Sequence, residues 1–149
     1  MERMDLNLYR SLNRNRVRYL LIGGMAAVLY GSPRVTKDTD IFIGADIENI
    51  ERLLKALREI KFGTAHLTTP QKIIKNEVNI FKDYIRLDVL TKIKGIGFED
   101  AWKGRKVREI KGVRIFLIDI DDLIISKQAA GRSLDLQDVK ILRKIKRIR

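Results

Sequence analysis

Residues 23–43 read GGMAAVLYGSPRVTKDTDIFI. Two glycines, an apolar run, an Arg and two aspartates fall within about twenty residues, and the second aspartate heads a short apolar strand. Tyr19 to Ile22 before it is an apolar strand that Gly23-Gly24 ends. Met25 to Tyr30 reads as a helix closed by Gly31, and Ser32-Pro33 prevents its continuation. Asp40 to Ile43 is the second strand. Asp38 and Asp40 are two apart at its start, so their side chains point to one face. Like charges that close repel unless a cation lies between them.

Working outward, residues 4–15 have the spacing of a helix, with Leu6, Tyr9 and Leu12 on one face. Asp46 can cap the next helix, whose apolar stripe is Ile47, Ile50, Leu53, Leu54, Leu57 and Ile60; Gly63 ends it. Thr69-Pro70 can start a short helix. Val78 to Phe81 and Tyr84 to Leu90 read as strands joined at Lys82-Asp83. In the second, Ile85, Leu87 and Val89 share one face and Arg86, Asp88 and Leu90 the other. Phe98 to Trp102 is a short helix. Lys106 to Ile110 and Val113 to Ile118 form a hairpin around Lys111-Gly112. Two helices finish the chain, Asp121 to Ala130 and about Leu134 to Ile148, with Gly131 ending the first and Ser133 capping the second. The expectation is an α/β or α+β fold: a mixed sheet of about five strands with helices on its faces and a helical C-terminus. With no repeat, low-complexity stretch or linker, residues 1–149 read as one domain, its sheet over about 17–118 and its last helices over about 119–149.

The 149 residues suffice for one core, and 45% hydrophobic with 34% charged residues is a globular composition. The absence of cysteine excludes disulfides and thiolate metal sites. No apolar run reaches the roughly 18 residues of a membrane helix. The N-terminus has charges at Glu2, Arg3 and Asp5 and no apolar signal core, so the expected location is the cytoplasm and no membrane partner is expected. Few amides and many Lys, Arg, Glu and Ile would suit a thermophile. The net charge is +12, and residues 101–149 hold 14 Lys and Arg against 6 Asp and Glu. A field of that sign attracts polyanions, or serves only as a solubilising surface. The tail KILRKIKRIR is amphipathic, with Ile141, Leu142, Ile145 and Ile148 on one face; it is either a packed last helix or a surface that follows an RNA backbone.

Aspartate oxygens suit Mg²⁺, which takes few protein ligands and fills its shell with phosphates and water. A third ligand should come from a neighbouring strand, and Asp88, in the otherwise apolar YIRLDVL, is the candidate. Asp38, Asp40 and Asp88 on adjacent strands could hold two Mg²⁺ ions, as in-line phosphoryl or nucleotidyl transfer requires. A strand, Gly-Gly, helix turn suits the same chemistry: the backbone can approach a phosphate, and the helix start points N–H groups at it. Arg34 and Lys37 could neutralise triphosphate charge, or pair structurally with an aspartate. Trp102 reads as core before stacking platform, and His66, the single histidine, has no assigned role.

IGGMAAVLYGSPRVTKDTDIFI resembles the signature of the nucleotidyltransferase superfamily, the DNA polymerase β-like fold. Its G-x-x-R-x-T-x-D-x-D form looks like the branch of abortive-infection toxin nucleotidyltransferases and their uncharacterised relatives. DLIISKQAAGRSLDLQDVKIL looks like that branch's helical segment, with its Lys, Ala-Gly-Arg and two Asp in order. The resemblance spans about residues 19 to 142. It implies that Asp38 and Asp40 hold both metals, that Asp88 completes the ion activating the acceptor hydroxyl, and that Gly23 and Gly24 cradle the β- and γ-phosphates. Lys127 would be a triphosphate ligand or the general acid for pyrophosphate, and Arg132 a further nucleotide-binding residue. From their spacing alone, Asp135 and Asp138 share one face of the last helix, where they either orient Lys127 or Arg132 or simply favour the helix N-terminus. Gly24 departs from the Ser that many active members carry there, and Thr39 from the usual Ile or Val. The expected activity is Mg²⁺-dependent transfer of a nucleoside monophosphate from an NTP to a hydroxyl, with RNA, the 3′ end of a tRNA, favoured by the charge. The alternatives are a protein acceptor in a toxin–antitoxin pair, with a cognate partner, a small-molecule acceptor, or a nucleotide-binding or antitoxin-like module without turnover.

Overall fold

The computed structural model describes residues 4–148. The elements, in chain order, are α1 (Leu6–Arg14), β1 (Tyr19–Ile22), α2 (Gly23–Tyr30), β2 (Thr39–Ile43), α3 (Ile47–Glu59), a 3-10 turn (Ala65–Leu67), α4 (Pro70–Lys75), β3 (Val78–Lys82), β4 (Arg86–Leu90), α5 (Phe98–Lys103), β5 (Lys106–Ile110), β6 (Val113–Leu117), α6 (Ile120–Ala130) and α7 (Ser133–Ile148). Six strands, one more than expected, form one mixed sheet in the order β3-β4-β2-β1-β6-β5.

β1 is the hinge of this order. It runs antiparallel to β2 and parallel to β6, and β2 runs parallel to β4. All four of its residues are buried, as an all-apolar YLLI strand at a sheet centre must be. The edges are two antiparallel hairpins, β3–β4 and β5–β6. Lys111 and Gly112 both have positive φ, 50° and 80°, the backbone of a two-residue turn whose twist matches its strands. The other hairpin turns at Asp83, whose carboxylate accepts from the Gly63 and Tyr84 N–H groups at 2.6 and 2.7 Å. That turn delays β4 to Arg86, two residues later than the apolar pattern suggests.

Around the sheet, α1 packs on α3 and over β6, while α2 packs on β1 and β2 and against α6 and α7. Caps set the helix starts: Asp46 accepts from the Asn49 N–H at 3.1 Å and Asp119 from the Asp121 N–H at 3.0 Å. Trp102 stacks on Phe98 and tilts against Phe116, with the Arg105 guanidinium 4.0 Å from its ring centre, so it closes the core edge. On α7, Leu142 is buried and Ile145 reaches Gly31, but Ile148 is 82% exposed, so the packed face ends a turn earlier than the pattern predicts. Among the described residues no helix is long and apolar enough to cross a membrane.

Candidate active site

The site is built where β1 becomes α2. The helix begins at Gly23 itself, two residues before the expected start, directly after the extended Ile22. Gly23 has φ +69°, and a Cβ on it would lie 2.2 Å from Asp40 Oδ2. Only glycine meets both demands. A Cβ on Gly24 would lie 2.8 Å from Arg34 Nη2. The glycine pair thus admits a carboxylate on one side and a guanidinium on the other. Among the described residues no side chain caps this helix end, which leaves its first-turn N–H groups without a side-chain acceptor there.

Sheet register supplies the acids. Asp40 stands opposite Ile22 on β1 and opposite Asp88 on β4, and Asp88 stands opposite Ile80 on β3. Ile80, Asp88, Asp40 and Ile22 therefore form one row across four strands. Burial pushes the Asp40 carboxyl up to about 6, and Asp88 and Asp38 push it the same way, while Lys127 and Arg86 pull it back. Asp38 lies one residue before β2, exposed, with no ion pair among the described residues. Asp88 is partly buried and takes a fork from Arg86, Nε at 2.8 Å and Nη2 at 3.2 Å, which raises the Arg86 pKa. Among the described residues no three His, Cys, Asp or Glu side chains are already gathered as a metal cage. The donors suit a hard divalent ion nonetheless: they are carboxylate oxygens, and burial first, then the charges of Asp88 and Asp38, raise Asp40 among them.

Facing the acids is a basic wall from three other segments. Lys127, on α6, is 6% exposed and donates to Asp138 Oδ2 at 2.7 Å, with Asp135 Oδ1 at 3.9 Å. Arg34, from the chain after α2, donates to the same Asp138 oxygen at 2.5 Å. Arg132 forks onto Asp135 at 2.6 and 3.3 Å, which raises its pKa, and it senses the Asp40 charge too. Of the candidates, Gly23, Gly24, Asp40, Asp88, Arg34, Lys127 and Arg132 are thus neighbours in one region. Lys37 is exposed and forms no ion pair among the described residues.

One contributor, Arg86, and one contact, that of Asp138 with Arg34, are hard to find from sequence. Arg86 is visible there only as a residue two away from Asp88 on the same strand face, which is the signal that could have found its fork. Asp138 is visible as a helix-mate of Asp135, but nothing in the sequence links it to Arg34, 104 positions away. Hollows of about 350 and 490 Å³ open beside Phe62 and beside Ile60 and Tyr84, and none of these charged residues lines either.

A family model described as "Nucleotidyltransferase of unknown function (DUF6036)" matches residues 3–148. No curated protein matches the chain. Among solved structures, the lincosamide antibiotic adenylyltransferase LnuA, with lincomycin bound, is similar at 17% identity and TM-score 0.60, over 95% of this chain and 98% of that one. TM1012 from Thermotoga maritima, assigned as a nucleotidyltransferase, is similar at 17% identity and TM-score 0.57, over 95% of this chain and 89% of that one. An antigenic nucleotidyltransferase-like protein from Paracoccidioides brasiliensis is similar at 18% identity and TM-score 0.56, over 92% and 72%. At these identities the likeness is one of fold.

Proposed function

Since the chain belongs to this nucleotidyltransferase family, we propose that it transfers a nucleoside monophosphate from an NTP to an acceptor hydroxyl, with Mg²⁺ held by Asp38, Asp40 and Asp88. The observation that carries the reading is the register of Asp40 with Asp88, with Gly23 pressed against the Asp40 carboxylate at the open head of α2. A divalent cation held there would supply positive charge to the reacting phosphate and would offset the burial and the like charges of Asp88 and Asp38 that lift Asp40.

The chain's own groups divide the remaining work. The backbone at Gly23-Gly24 lets phosphate oxygens come close to the N–H groups of the first turn. Arg34, Lys127 and Arg132 balance the charge of the phosphates that leave, and Lys127 is the one suited to give them a proton. Asp88, at the edge-strand side of the row, lies away from that wall. An incoming hydroxyl must approach opposite the leaving pyrophosphate, so Asp88 is the acid suited to orient it.

The net charge of +12 favours RNA as acceptor, and a tRNA 3′ end presents the hydroxyl such an enzyme needs. A small-molecule acceptor has one observation behind it, the fold shared over 98% of LnuA, which acts on an antibiotic. Incubation with each α-labelled NTP, Mg²⁺ and either total RNA, cell lysate or lincosamide tests the assignment. Label in RNA is the expected result. Label in a protein, the mark of a toxin–antitoxin enzyme, or in the antibiotic overturns the acceptor. No label under any condition overturns the activity and leaves a nucleotide-binding module.

A further inference from the structure

We infer that Asp138 is the positioning residue of the triphosphate site: one buried carboxylate that holds Arg34 and Lys127 together as a preassembled clamp for a polyphosphate. This rests on the phosphate reading of the α2 head given above. Asp138 is 1% exposed, and a single oxygen of it, Oδ2, accepts from Lys127 Nζ at 2.7 Å and from Arg34 Nη1 at 2.5 Å. Two cations meet at one anion, so the trio keeps one positive charge in excess. The neighbouring Arg132–Asp135 pair is balanced and does not cancel it.

Where that excess charge points is set by the fold. The Arg34 guanidinium lies against Gly24, at the positive end of α2. Lys127 lies on α6, which packs against α2, and its ammonium shares the Asp138 oxygen with that guanidinium. A guanidinium, an ammonium and a helix head directed at one region repel one another unless an anion joins them. Asp138 is that anion from behind; from the front the group that fits is a chain of phosphates, which can touch all three. Its carboxylate also fixes rotamers of two long side chains that would otherwise lose entropy on binding. Arg34, Lys127 and Asp138 come from three separate segments, so no local structure would hold the two cations in this arrangement without it.

The probe is inorganic tripolyphosphate, in EDTA, titrated calorimetrically into the full chain and into Asp138→Asn and Asp138→Glu. Removing the carboxylate changes the net charge from +12 to +13, so attraction by bulk charge alone predicts tighter binding. Positioning predicts the reverse: about tenfold weaker binding or more in Asp138→Asn, as when one partner of a buried charge pair is removed. Asp138→Glu keeps the charge and displaces the oxygen, and should fall between the two. Equal or tighter binding by Asp138→Asn overturns the inference while leaving the phosphate site in place. If Asp138→Asn does not fold, Asp138→Glu decides the matter, and wild-type affinity in that variant overturns it. No binding by the wild-type chain removes the phosphate reading and the inference with it.

Discussion

Asp40 and Asp138 are two aspartates drawn away from water into opposite company. Asp40 stands among like charges, with Asp88 across the ladder and Asp38 two residues away, and its carboxyl is held up at about 6. Asp138 stands between two cations on one oxygen, at 2.5 and 2.7 Å. The acidic row stores electrostatic repulsion in the folded state, and the basic clamp resolves it. An acid region only partly compensated, by Arg86 on Asp88 and by Lys127 near Asp40, has a place for a cation; a basic region already tied together needs no reorganisation when its anion arrives. One half of the site is poised and the other is finished.

The comparison breaks most visibly at Asp40→Asn. Transfer should fall at least about a hundredfold, close to 3 kcal/mol of barrier, because an amide does not replace an anionic metal ligand. A rate within about tenfold of wild type, measured as label transfer, removes Asp40 from the chemistry. Asp138→Asn should act on stability as well as on polyphosphate binding: a loss of about 3 kcal/mol in urea unfolding, since it takes the nearer anion from a buried ammonium. An unchanged midpoint would mean that Lys127 finds another partner.

The sign should reverse for Asp40→Asn in the same urea experiment without metal. The folded state binds the Asp40 proton more tightly than the unfolded chain, whose carboxyl titrates near 3.8. Folding is therefore favoured below that value, and this part of the stability is lost as pH rises through about 6. Asp40→Asn should exceed wild type by about 1–3 kcal/mol at pH 8, and the gap should close towards pH 4. A gap independent of pH would show that packing, not charge, separates the two proteins. Gly23→Ala should cost about 2 kcal/mol from its positive φ and its collision with Asp40, a measure of how closely backbone and acid are fitted. Urea midpoints of the two proteins check it. The smallest effect concerns reach. Neutralising Arg143, Lys144, Lys146 and Arg147 together should flatten the salt dependence of RNA binding and spare tripolyphosphate binding. An unchanged slope would make α7 a packing element alone, as the Lys146–Asp121 and Arg143–Gln128 contacts already make part of it.

The two regions also differ in how much of them the sequence reveals. The acids announce themselves, because Asp40 in TDIFI, with Asp38 two residues before it, and Asp88 in RLDVL conflict with the apolar pattern around them. That conflict alone is enough to put them on strands and on one face. What pairs with what is a matter of register: nothing local dictates that Asp40 meets Asp88 rather than Arg86 or Leu90. The parallel contact of β1 with β6 is likewise invisible to periodicity, since it joins strands almost a hundred residues apart. The helix start at Gly23 is hidden for another reason: glycine is a poor helix former, and its choice here answers to the Asp40 carboxylate. In the clamp, Asp135 and Asp138 carry a helical spacing that any solvated face would share, and their burial against Lys127 and the bond to Arg34 are what separate the two cases.

That bond sets an order of events for a chain still being made. The glycine turn, Arg34 and the three acids leave the ribosome first, whereas the carboxylate that joins Arg34 to Lys127 follows 104 positions after Arg34, on α7. Domains fold as units once their segments are available, and here a late segment carries the anchor. A nascent chain that has reached Gly131 already holds every acid of the row yet lacks Asp135 and Asp138. On the clamp inferred above, grip on phosphate therefore arrives only with α7, and a chain that stops at Gly131 is born without it.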